Sequence, residues 1–127
     1  MRITLVFVIF LAGLSPAAHA DDILAGGFVT GGTQVYCMFY NAGNTAVTIK
    51  APRIVNRSGQ NQTLTFNTCN DAPSLVAGRG CFIADYSTDG TVAYACRAVV
   101  APSAANVRGS IFTHNAAAEP VSILELR

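Results

Sequence analysis

Gln34-Val35-Tyr36-Cys37-Met38-Phe39-Tyr40-Asn41 alternates along its length. In an extended chain, Val35, Cys37 and Phe39 fall on one face and Tyr36, Met38 and Tyr40 on the other. Successive side chains of a strand point to opposite faces, and β-branched and aromatic residues fit that pleated surface. The stretch therefore reads as a β-strand with Val35, Cys37 and Phe39 turned to a core. Its second face is also apolar. Tyr36, Met38 and Tyr40 are expected to pack against Tyr86 as a second core layer; the alternative is an exposed aromatic patch for a partner.

The same style continues on both sides. Ala42-Gly43-Asn44 is a turn signal, and Thr45 to Lys50 resumes strand character. Pro52 interrupts, because proline has no N–H to give to a ladder, and Arg53-Ile54-Val55-Asn56 continues after it. Thr63 to Asn67 is expected to be a half-buried strand with Leu64 and Phe66 on one face. Residues 69–80 are rich in Asn, Asp, Pro and Gly and read as loop. Cys81 to Tyr86 is a strand, and Asp89-Gly90 suits the positive φ of a tight hairpin turn. Thr91 to Val100 would be the longest strand. Val107 to Thr113 and Val121 to Leu126 follow. No window of adequate length carries a capped 3.6-residue apolar period. About seven or eight short strands at roughly 8–12-residue spacing predict an all-β fold, an antiparallel Ig-like sandwich.

Met1-Arg2, the apolar run Ile3 to Ala12, the breakers Gly13, Ser15 and Pro16, and Ala18-His19-Ala20 have the build of a secretory signal peptide. The apolar run is too short for a spanning helix, which needs about 20 apolar residues. The expected organisation is a signal peptide over 1–20, a single sandwich domain over 21–127, and no stable membrane anchor after cleavage. No twin-arginine pair is present. Export would put the protein in the periplasm or outside the cell, where disulfides persist.

Cys37, Cys69, Cys81 and Cys96 allow three pairings, and spacing dictates none of them. We favour Cys37–Cys96, which would tie the second strand to the longest strand across the core. That leaves Cys69–Cys81, which would close the loop between them. Zinc sites want close Cys or His pairs, whereas these spacings are 32, 12 and 15 residues. No C-x-x-C redox motif occurs.

Tyr94-Ala95-Cys96 resembles the tyrosine corner of immunoglobulin domains, in which a Tyr stands two residues before the second Cys. The chain departs from those domains in having no Trp. Cys37-x-x-x-Asn41-x-Gly43-Asn44-x-x-Val47-Thr48-Ile49 and Leu75-Val76-Ala77-Gly78-x-Gly80-Cys81-x-Ile83 look like bacterial Ig-like domains of the abnormal-spindle/hydin and adhesion-module type. Ala95-Cys96-Arg97 with Ala105-Asn106-Val107-Arg108-Gly109 also resembles small secreted bacterial proteins of the Ig-like class. The likeness spans about residues 34–113. It implies a sandwich fold and carries no catalytic residue onto this chain.

Charge and residue counts narrow the function. The chain carries 8 Lys and Arg against 7 Asp and Glu, and loss of Arg2 with the leader would balance them. Without a basic run, nucleic acid is not an expected partner. His114 would be the one histidine after cleavage. A blue-copper site needs two His, a Cys and usually a Met. A Ser-His-Asp triad could draw on His114 with Ser103 or Ser110 and Asp85 or Asp89, but no G-x-S-x-G context supports it. His114-Asn115 instead reads as an exposed loop. We therefore expect no catalytic residues, no metal and no cofactor. Arg97 and Arg108 alternate with apolar neighbours. They are read as solvated outer-face arginines, or as a pair on one sheet face that captures a carboxylate or sulfate. Asn56-Arg57-Ser58 and Asn61-Gln62-Thr63 match N-glycosylation acceptors. The expected role is a non-catalytic binding or structural module with a protein partner. The alternative is a secreted enzyme inhibitor that uses the loop 69–81.

Overall fold

The computed structural model describes residues 21–70 and 74–126. The leader expected over 1–20 and residues 71–73 of the loop expected over 69–80 lie outside the described residues. The described chain is all-β. Its strands are β1 (Asp22–Ala25), β2 (Gln34–Asn41), β3 (Thr48–Asn56), β4 (Phe66–Asn67), β5 (Gly80–Asp85), β6 (Tyr94–Ala101), β7 (Val107–His114) and β8 (Pro120–Leu126). They form a three-stranded sheet in the order β1-β6-β3 and a five-stranded sheet in the order β4-β5-β2-β7-β8. Every pairing is antiparallel.

The inner faces of the two sheets supply the core. Val35, Cys37 and Phe39 of β2 are fully buried, as their alternation requires. Ile83 of β5 and Ile111 of β7 flank Cys37 in register. From the other sheet come Leu24, Ile49, Ile54, Cys96, Ala98 and Val100. Burying a large apolar side chain stabilises by about 1.5–3 kcal/mol, so this layer is the main source of cohesion. Cys37 is bonded to Cys96. This bridge joins the middle strand of the five-stranded sheet to the middle strand of the three-stranded one. Cys69 is bonded to Cys81 and closes a short loop at the β4–β5 side.

Local expectations differ from the structure at four places. Pro52 does not split β3. The strand runs on through an irregularity between Lys50 and Arg53, where Ala51 takes φ +44° and Pro52 is buried. A bulge absorbs the residue that cannot donate. Residues 63–65 are not strand; β4 is two residues long, and Phe66 is exposed rather than inward. Asp89-Gly90 does not make a hairpin, because β5 and β6 belong to different sheets and the segment between them crosses from one to the other. Gly90 keeps an ordinary φ. The Asp89 carboxylate instead accepts from the Thr91 N–H at 2.8 Å and its hydroxyl at 2.7 Å, a local cap on the crossing. Finally, the strand expected over Thr91 to Val100 begins only at Tyr94, and its 8 residues make it shorter than the 9-residue β3.

Candidate functional site

The outer face of the five-stranded sheet is where most large exposed apolar side chains gather. Register places Phe66, Ala84, Tyr36, Phe112 and Ile123 in one row across β4, β5, β2, β7 and β8. The rings touch in sequence. Phe66 meets Tyr86 at 5.5 Å between centroids, Tyr86 meets Tyr36 at 5.5 Å, and Tyr36 stacks on Phe112 at 4.9 Å with planes 7° apart. His114 leans on both Tyr36 and Phe112, at 5.1 and 5.3 Å. Offset and tilted arrangements of this kind are the favoured ones for aromatic pairs. Ala84, between Phe66 and Tyr36, is fully buried, so the flanking side chains close over it. Burial first, and the neighbouring Tyr86 phenol second, push the Tyr36 phenol up from its usual range.

This face is open to solvent. Met38, Tyr40 and Phe66 are 45, 47 and 49 % exposed, and Ile123 is 70 % exposed. The second core layer expected from Tyr36, Met38 and Tyr40 is therefore corrected: Tyr36 does pack on Tyr86, but nothing in the described chain covers the layer. His114 is likewise no loop residue. It ends β7 and belongs to the aromatic row. The row runs out to β8, an edge strand with Val121, Ile123 and Leu124 exposed. Gly26 bridges the outer edge of β8 at Leu126; ahead of that point the edge carries apolar side chains, and an unpaired stretch of edge is a template for another strand.

Arg97 and Arg108 do not share a sheet face. Arg97 is on β6 of the three-stranded sheet and Arg108 on β7 of the five-stranded one. Alternation reveals which residues share a side of one strand but not which sheet the strand joins, so the expected pair is corrected. Arg108 donates to the Ala105 and Val107 carbonyls at 3.1 and 3.3 Å. It lines a cleft of about 630 Å³ with Asp22, Ala104 and Glu125. The register partner of Arg97 is Arg53 on β3. Both are half-buried, and the Nε of each is hidden from water with no hydrogen-bond partner among the described residues. Like charges directly opposite are unfavourable by a few tenths of a kcal/mol to about 1 kcal/mol. A buried donor without an acceptor costs about 1–3 kcal/mol more. Arg53 carried no sequence signal of its own, because only the β3–β6 register brings it to Arg97.

The loop 69–81 is tied at its described end. Asn41, fully buried, donates from Nδ2 to the Thr45 and Leu75 carbonyls, each at 2.8 Å. Its Oδ1 accepts from the Gly43 N–H at 2.9 Å. Leu75 and Val47 exchange backbone bonds at 2.7 and 3.1 Å, and the Gly78 N–H donates to the Asn41 carbonyl at 2.9 Å. Gly78 has φ +72°, which suits glycine alone without strain. Val76 stands out of this frame, 51 % exposed.

The residues of the triad reading do not converge. Asp85 is buried at the end of β5 and spends Oδ1 on the N–H and hydroxyl of Ser87, at 2.9 and 2.8 Å. Ser103 bonds Asp22 at 2.8 Å. Ser110 faces outward in register with Met38, four residues from His114. Among the described residues, no group of three or more His, Cys, Asp or Glu side chains could hold a metal ion. No described helix is long and apolar enough to cross a membrane. The two intramolecular disulfides are compatible with an oxidising extracellular or periplasmic location. No family model, no curated protein and no solved structure matches the chain.

Proposed function

We propose that the protein is an exported, non-catalytic binding module of Ig-like build that grips a protein partner with the outer face of its five-stranded sheet and the adjoining edge β8. One observation carries this reading: the aromatic row from Phe66 to Phe112 continues into exposed Ile123 on the edge strand β8, ahead of the Gly26 bridge at Leu126. Strand addition would give main-chain bonds, and the row would give side-chain specificity. The occupant is an extended segment of a partner with apolar side chains on both of its faces, matching Ile123 on one face of β8 and Leu124 on the other.

Several features support the Ig-like assignment. A disulfide bridges the two sheets, and the Tyr94 hydroxyl accepts from the Asp89 N–H at 2.9 Å, the bond of a tyrosine corner. The order β4-β5-β2 opposite β6-β3 matches D-E-B opposite F-C of the immunoglobulin plan. The outer strands depart from it: β7 lies beside β2, where that plan has its first strand, and β1 lies beside β6, where it has its last.

The test is capture from the extracytoplasmic fraction with the wild-type protein, Tyr36→Ala and Ile123→Lys. Loss of the captured protein with both folded variants supports the reading. Capture that survives both variants overturns it. If capture instead fails with Val76→Glu, and the captured protein is an enzyme that the wild type inhibits, the disulfide-tied loop 69–81 is the working element. That second reading draws on the frame that Asn41, Leu75 and Cys69–Cys81 build beneath Val76. A rigid loop lowers the ordering cost of binding. The exported form should begin at Asp21 on N-terminal sequencing.

A further inference from the structure

We infer that Arg53 and Arg97 form a binding site for one tetrahedral oxyanion, a sulfate or phosphate group, on the outer face of the three-stranded sheet. The two arginines are cross-strand partners in register, so their side chains leave the sheet side by side on one face. Ala25 completes the row on the far side of Arg97. Ile23, Val99 and Val55 lie on the same face in the adjoining rows, and Ala95, opposite Val55, is buried although it points outward. The guanidinium stems therefore stand on an apolar floor that screens them from water.

No counter-charge meets them. Among the described residues the one salt bridge is Lys50 to Asp21 at 2.8 Å, so no carboxylate pairs with either arginine. Arg57, just past the end of β3, adds a further exposed positive charge. The free donors are informative in kind. Both buried, unpartnered atoms are Nε, so the edge that each guanidinium presents to solvent is its Nη1–Nη2 end. Such an edge donates two parallel hydrogen bonds to two oxygens of one group. A carboxylate has a single pair of oxygens and one charge. A sulfate or phosphate has four oxygens and up to two charges, enough to meet both edges and neutralise both arginines. The proposal does not rest on the aromatic face or on β8, which lie on the other sheet.

The test is NMR of the arginine Nε–Hε signals of the full exported domain, titrated with sodium sulfate or inorganic phosphate at constant ionic strength set with chloride. The Arg53 and Arg97 signals should shift and saturate together, while Arg108 stays still. Arg53→Gln and Arg97→Gln should each weaken the apparent affinity by about tenfold, in line with the loss of one charge-assisted bidentate contact. Arg57→Gln should change it little. Methyl phosphate distinguishes the sources: binding equal to inorganic phosphate assigns the site to an ester group on a larger molecule, and binding of the inorganic ion alone assigns it to the free anion. No saturable shift, or a response to acetate as strong as that to sulfate, overturns the proposal. Should either glutamine variant unfold, Arg53→Lys and Arg97→Lys keep the charge but remove the two-pronged guanidinium end. Undiminished sulfate binding by both lysine variants would equally overturn it.

Discussion

The side-chain amide of Asn41 donates to the backbone carbonyl of Leu75, thirty-four residues away, at 2.8 Å. This bond joins the Asn41-x-Gly43 turn to the Leu75-x-x-Gly78 turn, two motifs that look independent along the chain. A buried amide with three partners is costly to strip, because each abandoned backbone group loses its bond without regaining water. Asn41→Ala should destabilise the domain by about 2–4 kcal/mol in urea unfolding. Asn41→Asp should be at least as damaging, since it removes the donor and buries a charge.

The two disulfides should differ in weight. Cys37–Cys96 closes a loop of separation 59 and Cys69–Cys81 one of separation 12. Chain-entropy scaling gives about 4 kcal/mol for the first and about 3 kcal/mol for the second. Replacing Cys37 and Cys96 together by Ala should lower the unfolding midpoint more than replacing Cys69 and Cys81, because the first bridge closes the longer loop.

Tyr94→Phe keeps the packed ring and removes the acceptor for the Asp89 N–H. A loss of about 1 kcal/mol is expected. Hydrogen exchange should show the Asp89 amide, and few others, losing protection. Protection that is unchanged would mean that the corner bond does not hold the crossing between the sheets.

Acid should loosen the crossing and the first strand before it reaches the core. Bonds from the Ala104 N–H first, and from the Ser103 hydroxyl second, hold the Asp22 carboxyl below its ordinary value of 3.8. The Thr91 N–H and hydroxyl do the same for Asp89. A carboxyl depressed in the folded state contributes stability that is present above the unfolded value and lost as the pH falls through the folded one. Stability should therefore decline below the ordinary carboxylate range, and Asp22→Asn should flatten part of that decline. A pH profile identical to that of the wild type would count against this assignment.

Ile123→Lys should change stability little, because the residue is 70 % exposed on an edge strand. It should raise solubility, since a charge on an open edge blocks strand-to-strand association. Static light scattering at rising concentration reads this directly.

How much of this was legible follows from what is local. The bounds of β2, Gln34–Asn41, and its inward triplet Val35, Cys37 and Phe39 follow from alternation, since one face of that strand meets the other sheet. Alternation does not carry sheet membership. It set Arg97 beside Arg108 when the register sets it beside Arg53, and it read Asp89-Gly90 as a hairpin when the chain changes sheets there. Pairings of this kind are fixed by contacts far apart in sequence. The apolar outer face of β2 misled for a related reason. A strand with two apolar faces reads as covered on both, and only the exposure of Met38 and Tyr40 among the described residues distinguishes an outer face from a core. His114 was legible as a lone histidine but not as the end of an aromatic row, because its neighbours Tyr36 and Phe112 come from register.

The bridge between the middle strands also sets how the domain would behave under tension. Force applied through β1 and β8 acts on edge strands, which can peel from β6 and β7 bond by bond. Extension then stops at Cys37 and Cys96. The 59-residue separation between them cannot be drawn out while the covalent link holds, so most of β2, β3, β4, β5 and the start of β6 stays slack under load. A domain built this way would yield at its rim, keep its centre, and re-form the peeled strands on a surviving template.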